Sequence, residues 1–299
     1  MTGEQGHRRT SGGDASTRLG RLLVLPLLAV LGAVLIYPVM FTARVSLQDY
    51  RLNALDRVEF IGLEHYASLL SNATFTTALR NTAVFVVVAV TLELVLGLAL
   101  ALAVQRLGRP RDVVRSLLLM PMFVTPIAVG LVFRFLLNQQ LGLIPPLLDV
   151  FGLRINFFGP DLALLSLAMI DVWQWTPLMF LMMVAGLESL PQAPFEAARV
   201  DGASTWFTFR RVTLPLLRPA IIIAVMIRML DALRVFEYVF AITRGGPGQA
   251  TETIQYLIYR VGFQFFRLGE ASAMAYVLVG IVLTLVGVLV WLTRREASA

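Results

Sequence analysis

From residue 82 to residue 104 the chain reads TAVFVVVAVTLELVLGLALALAV, with Glu93 as its one charged side chain. About 20 residues at 1.5 Å each span a hydrocarbon core, and within lipid a single segment must satisfy its own backbone, so the run reads as a membrane-crossing helix. Comparable apolar runs place expected spans at 22–47, 81–104, 113–137, 161–185, 219–241 and 271–292. The expected fold class is therefore an all-α membrane protein with six transmembrane helices. Composition agrees: 15% of residues are charged, against about 25% for soluble domains. Residues 1–18 are rich in Gly, Ser, Thr and Arg and read as a disordered tail, leaving 19–299 as the membrane domain. The first run is too long for a signal-peptide core and is read as an uncleaved span.

All 25 basic residues are arginine, and the formal charge is +6. They lie between apolar runs without aromatic interleaving, so they report topology rather than nucleic-acid binding. With the N-terminus cytoplasmic, segments 1–21, 105–115, 185–218 and 293–299 face inward and carry 14 arginines in 73 residues. The outward loops 48–80, 138–160 and 242–271 carry 7 in 86. Both termini are then expected in the cytoplasm, in a multi-pass protein of the plasma (inner) membrane. There is no cysteine, and the two histidines, His7 and His65, are too few for a histidine metal cluster. A phosphate loop of the form GxxxxGK[ST] is absent, as is the lysine it needs. Neither a GxSxG elbow nor a paired-aspartate protease signature occurs. No catalytic residue, metal or cofactor is expected in this chain.

One charged insert interrupts the apolar pattern: EAARVDGASTWFTFRRVTLPLLRP, 196–219. Glu196 to Ala203 reads as a short helix entered near Pro194 and stopped at Gly202, where glycine can take the left-handed conformation. It is either an interfacial helix with solvated charges or a helix that fits a groove on a soluble partner. Two further stretches carry polar groups inside apolar spans. DVWQWTPL puts Asp171, Gln174, Trp175 and Leu178 on one helical face, and RMLDALRVFEY puts Arg228, Asp231, Arg234 or Val235, and Tyr238 on another. A charge at mid-membrane costs roughly 2.5–3.5 kcal/mol on insertion scales, so these residues should face the bundle or a watery cavity.

The insert resembles the EAA loop of permease subunits of ATP-binding-cassette importers, with the pattern EAA, DGA, LP and a further proline. Glu196, Ala197, Ala198, Asp201, Gly202, Ala203, Leu214, Pro215 and Pro219 supply every element. FIGLEHYASLL (60–70), FTTALRNTAVF (75–85), ELVLGLALAL (93–102) and TRGGPGQATET (243–253) are similar to segments of sugar permeases of the maltose-importer type, nearest to the larger of their two permease subunits. At 142–148 GLIPPLL departs from the pattern, with Pro145 where asparagine is usual.

The resemblance implies a type I importer permease fold, with 185–218 as a cytoplasmic loop carrying a coupling helix. It implies a binding-protein-dependent importer of a di- or oligosaccharide. The implied partners are a second homologous permease, a dimer of ATPase subunits holding ATP and Mg, an external solute-binding protein, membrane lipid and the sugar. It also implies sugar contacts at Asp171, Gln174, Trp175 and Leu178, although those residue identities differ from the family's. For Asp231 and Arg234 two readings stand: sugar contact, or ion pairing inside the bundle. Glu93 reads as structural. Another solute, such as a sugar phosphate or polyol, is the alternative cargo; a stand-alone secondary transporter is the alternative mechanism.

Overall fold

The computed structural model describes residues 12–108 and 111–297. Of the expected tail, residues 1–11 lie outside the described residues; residues 12–18 are already helical. Helix α1 (Gly12–Val45) leads to a pair of two-residue strands, β1 (Gln48–Asp49) pairing antiparallel with β2 (Glu59–Phe60). There follow α2 (Glu64–Ser71), α3 (Ala73–Gln105), α4 (Arg111–Leu119), α5 (Pro126–Leu136) and α6 (Ile144–Asp149). The second half holds α7 (Ala163–Glu188), α8 (Ala193–Val200), α9 (Thr205–Thr208), α10 (Leu214–Ala232), α11 (Ile254–Tyr259) and α12 (Leu268–Ala297).

Five stretches are long and apolar enough to span a bilayer: Pro26–Val45, Ala73–Gln105, Ala163–Glu188, Thr205–Ala232 and Leu268–Val288. The expected span at 113–137 is instead two pieces, Arg111–Phe123 and Pro126–Leu136, bent by 90°. Proline explains the break. Pro126 brings no N–H and disfavours helical dihedrals in the residue before it, and Thr125 is extended at φ −64°, ψ 136°. Counting the bent pair as one gives six spans. The span expected at 219–241 starts earlier and stops at Ala232; a break over 233–236 precedes a π-helical turn, Val239–Thr243.

The core lies between α3 and α7, where Phe85, Met179, Phe180 and Met183 are buried. Gly97 permits their close approach: a Cβ there would sit 2.8 Å from the Phe180 backbone nitrogen and 3.0 Å from the Met179 carbonyl carbon. Small residues at a crossing let backbones meet, which is how membrane helices gain packing energy without a hydrophobic drive. Most of the apolar surface of α1, including Val34, Leu35 and Tyr37, stays exposed.

The expected outer loop 243–253 is tied to the start of α3. Asn81 donates to the carbonyls of Gln249 (2.9 Å) and Glu252 (3.1 Å), and the Thr82 hydroxyl accepts from the Ile254 N–H (2.9 Å). Glu252 is fully buried, with Arg260 at 3.2 Å. Burial pushes its carboxyl above the usual range, and the arginine opposes that rise.

Candidate functional site

Both breaks in the bundle leave backbone groups without helical partners, and side chains take them up. Gln174 donates to the Val124 carbonyl (2.6 Å), Thr253 to that of Val235 (3.1 Å) and Arg134 to that of Ala241 (3.1 Å). Discontinuous helices inside a membrane are tolerated where they line a cavity, and such places bind cargo in transporters. Here Pro126 from the first break and Val235 from the second border one cavity of about 280 Å³. Asp171, Trp175, Asp231, Arg234, Glu237 and Tyr238 complete most of its wall.

Behind the wall Arg228 is 1% exposed and binds three carboxylates. Its Nε and Nη2 donate to Glu93 at 2.7 and 2.8 Å, Nη2 donates also to Asp171, and Nη1 donates to Asp231 at 2.6 Å. Its guanidinium carbon lies 5.2 Å from the centre of the Trp175 ring, a cation–π contact. Three helices, α3, α7 and α10, are thereby joined through one cation. Arg234 stands apart, with its side chain 70% exposed and 4.0 Å from Asp231.

The structure brings Asp171, Trp175, Asp231 and Arg234 together, and internal ion pairing engages Asp171 and Asp231. Gln174 is buried with both ends of its amide in use: besides Val124, it accepts from the Tyr238 hydroxyl at 2.6 Å. Leu178, one turn further along α7, is half-buried and outside the cavity lining. Sequence reasoning missed Glu237 and the pairing of Glu93 with Arg228. The lone carboxylate in an apolar span was the available signal for the second.

At the other end of the bundle, α8 closes with a Schellman turn. The Ala203 N–H bonds the Ala198 carbonyl (2.9 Å), the Gly202 N–H bonds that of Arg199 (3.1 Å), and Gly202 sits at φ +68°. Asp201 holds the C-cap position. The carboxylates of Glu196 and Asp201 are exposed and have no partner among the described residues. Phe195, Ala198 and Arg199 turn toward the bundle, whereas Glu196, Ala197 and Val200 turn away, Val200 being 89% exposed. Nearby, Arg111, with its Nη2, and Arg115 (2.6 Å) both donate to Glu188 at the end of α7. Two arginine-rich segments, 105–115 and 185–218, thus meet at one end of the molecule.

Residues 93–295 match the family model described as binding-protein-dependent transport system inner membrane component. The trehalose/maltose transport system permease protein MalF of Thermococcus litoralis is 37% identical over 85% of this chain and 85% of its own. The trehalose transport system permease protein SugA of Mycobacterium tuberculosis is 33% identical over 92% of this chain and 88% of its own. In structure, a chain of a bacterial ABC transporter involved in the import of the acidic polysaccharide alginate superposes with a TM-score of 0.81. It is 24% identical, over 94% of this chain and 96% of that one, a likeness of fold. The chain belongs to the family of binding-protein-dependent transport system inner membrane components.

Proposed function

We propose that the chain is one permease half of an ATP-driven importer for a di- or oligosaccharide, and that the cavity at the helix breaks lies on the sugar's path. The observation that carries this reading is the cavity's chemistry. Trp175 offers its ring beside the polar groups of Asp171, Asp231, Arg234 and Glu237. Sugar recognition needs both kinds of group side by side, and ligand sites combine apolar walls with a few placed polar groups. Gln174 acts as a support for the wall, and Leu178 continues the face beyond it. At about 280 Å³ the cavity falls just below the range of about 300–1,000 Å³ for complete ligand pockets. That suits a site finished by a second, homologous permease.

The chain's own sequence supplies no phosphate loop, so ATP and Mg are assigned to a separate ATPase dimer. Glu196, Ala197 and Val200 form the outward face of α8, which docks on that dimer, with an external solute-binding protein delivering sugar on the opposite side. The arginine-rich end supports a reading in which α8 and both termini lie in the cytoplasm. A reporter fused after Ser71 will read external and one after Pro194 cytoplasmic; the reverse pattern would invert the molecule.

Two variants in the reconstituted complex test the reading. Trp175→Ala should lower sugar uptake while assembly and basal ATP hydrolysis persist. Gly202→Val places a branched side chain at a positive φ and should lower sugar-stimulated ATP hydrolysis without altering sugar affinity of the external binding protein. Loss of assembly in the first would return Trp175 to a packing role. Wild-type stimulation in the second would remove α8 from the coupling path.

A further inference from the structure

The charges around the cavity can be counted side chain by side chain, and the count points to a selection rule. Asp171, Asp231 and Glu237 reach the wall, and Glu93 stands directly behind Asp171 across Arg228. Against these four carboxylates stand two guanidiniums, Arg228 and Arg234, for a formal charge of −2.

Geometry makes the imbalance sharper than the count. Arg228 is 1% exposed, with its donors spent on Glu93, Asp171 and Asp231 and its face against Trp175. It has little positive charge to offer a cargo. Arg234 is the remaining cation on the wall, and Asp231 lies 4.0 Å from it. Glu237 is exposed and has no ionic partner among the described residues. A cargo phosphate, sulfonate or carboxylate entering this cavity would meet uncompensated negative charge at close range, where like charges repel. Hydroxyl groups, by contrast, can donate to the same carboxylates.

We propose that Asp171, Asp231 and Glu237 form an electrostatic filter that admits uncharged carbohydrate and rejects anionic sugars. The inference rests on the sugar reading above and narrows its cargo class. It works by penalising the wrong cargo, which separates near-identical ligands better than added attraction does. Glu237 is the member that sets the rule most directly, because no cation among the described residues forms an ion pair with it. Asp231 is shared between Arg228 and the cavity.

The test uses the purified importer complex in nanodiscs, without the external binding protein, so that the readout reports the transmembrane site. Binding of trehalose and of trehalose 6-phosphate is followed by saturation-transfer NMR. The phosphate ester should bind more weakly than trehalose by about tenfold or more. Glu237→Gln should narrow that gap to about threefold, the ester gaining more from the lost charge than trehalose loses with a weaker acceptor. Asp231→Asn gives a second route to the same change and removes one of the carboxylates on Arg228. Equal binding of the two probes by the wild-type complex would overturn the filter and leave the sugar reading intact, as would tighter binding of the ester. An unchanged gap in both variants would overturn it too. Binding of neither probe would overturn the sugar reading itself, and the filter with it.

Discussion

Arg228→Ala is expected to abolish the stable complex rather than to tune its transport. The substitution leaves Glu93, 0% exposed, and Asp171, 3% exposed, facing each other without their shared cation. Removing one member of a buried ion pair typically costs about 3–5 kcal/mol, because the remaining charge is neither paired nor hydrated. That is a large share of the stability of a typical domain, about 5–15 kcal/mol. Thermal melting of the detergent-solubilised complex, followed by size-exclusion chromatography, measures it. Adding Glu93→Gln and Asp171→Asn to Arg228→Ala removes the stranded charges and should recover much of the loss. A single Arg228→Ala variant that melts with the wild type would show that water or another cation already serves these carboxylates. The cluster need not stabilise the bundle more than apolar side chains of equal volume would. What it supplies is one cation shared among α3, α7 and α10 at the cavity wall.

Gly97→Val is the second substitution with a large expected effect, and its cause is steric. The added Cβ would lie 2.8 Å from the Phe180 nitrogen, 2.9 Å from Met179 Cγ and 3.0 Å from the Met179 carbonyl carbon. Two of these three neighbours are backbone atoms of α7 and cannot swing aside, so the helices must part. Overpacking of this kind costs about 1–3 kcal/mol, and more where the backbone cannot yield. Separating α3 from α7 also strains the Arg228 bridge between Asp171 on α7 and Glu93, which lies one helical turn from Gly97 on α3. Gly280→Val in α12 is the control, because a Cβ there meets nothing within 4 Å. The same melting assay should show Gly97→Val far below wild type and Gly280→Val near it. Comparable melting of the two would mean that the α3–α7 crossing is looser than its geometry indicates.

Span positions were legible because crossing lipid imposes a minimum apolar length, and five of six expected runs overlap a single continuous helix long enough to span. The sixth, 113–137, was read as one helix although Pro121 and Pro126 stood inside it, and hydropathy cannot register a bend. The break over 233–236 had less warning: LRVF contains no glycine or proline. The helical stripe put Asp171 beside Trp175, and both lie on α7 and border the cavity. It could not join Glu93 to Arg228, which are 135 residues apart and meet only through the packing of α3 on α10. Continuing the second stripe through 233–238 likewise assumed an unbroken helix. Glu237, which that assumption points away from the stripe, borders the cavity because the helix stops first.

The turn that ends α8 is closed by main-chain bonds alone, Ala203 to Ala198 and Gly202 to Arg199, while the carboxylates of Glu196 and Asp201 carry no internal duty. Shape and lettering are therefore separable on this face. Positions 196, 197 and 200 can be rewritten to suit a different docking surface while the helix keeps its length and its stop. Gly202 has no such freedom: at φ +68° its identity answers to the backbone rather than to whatever docks there.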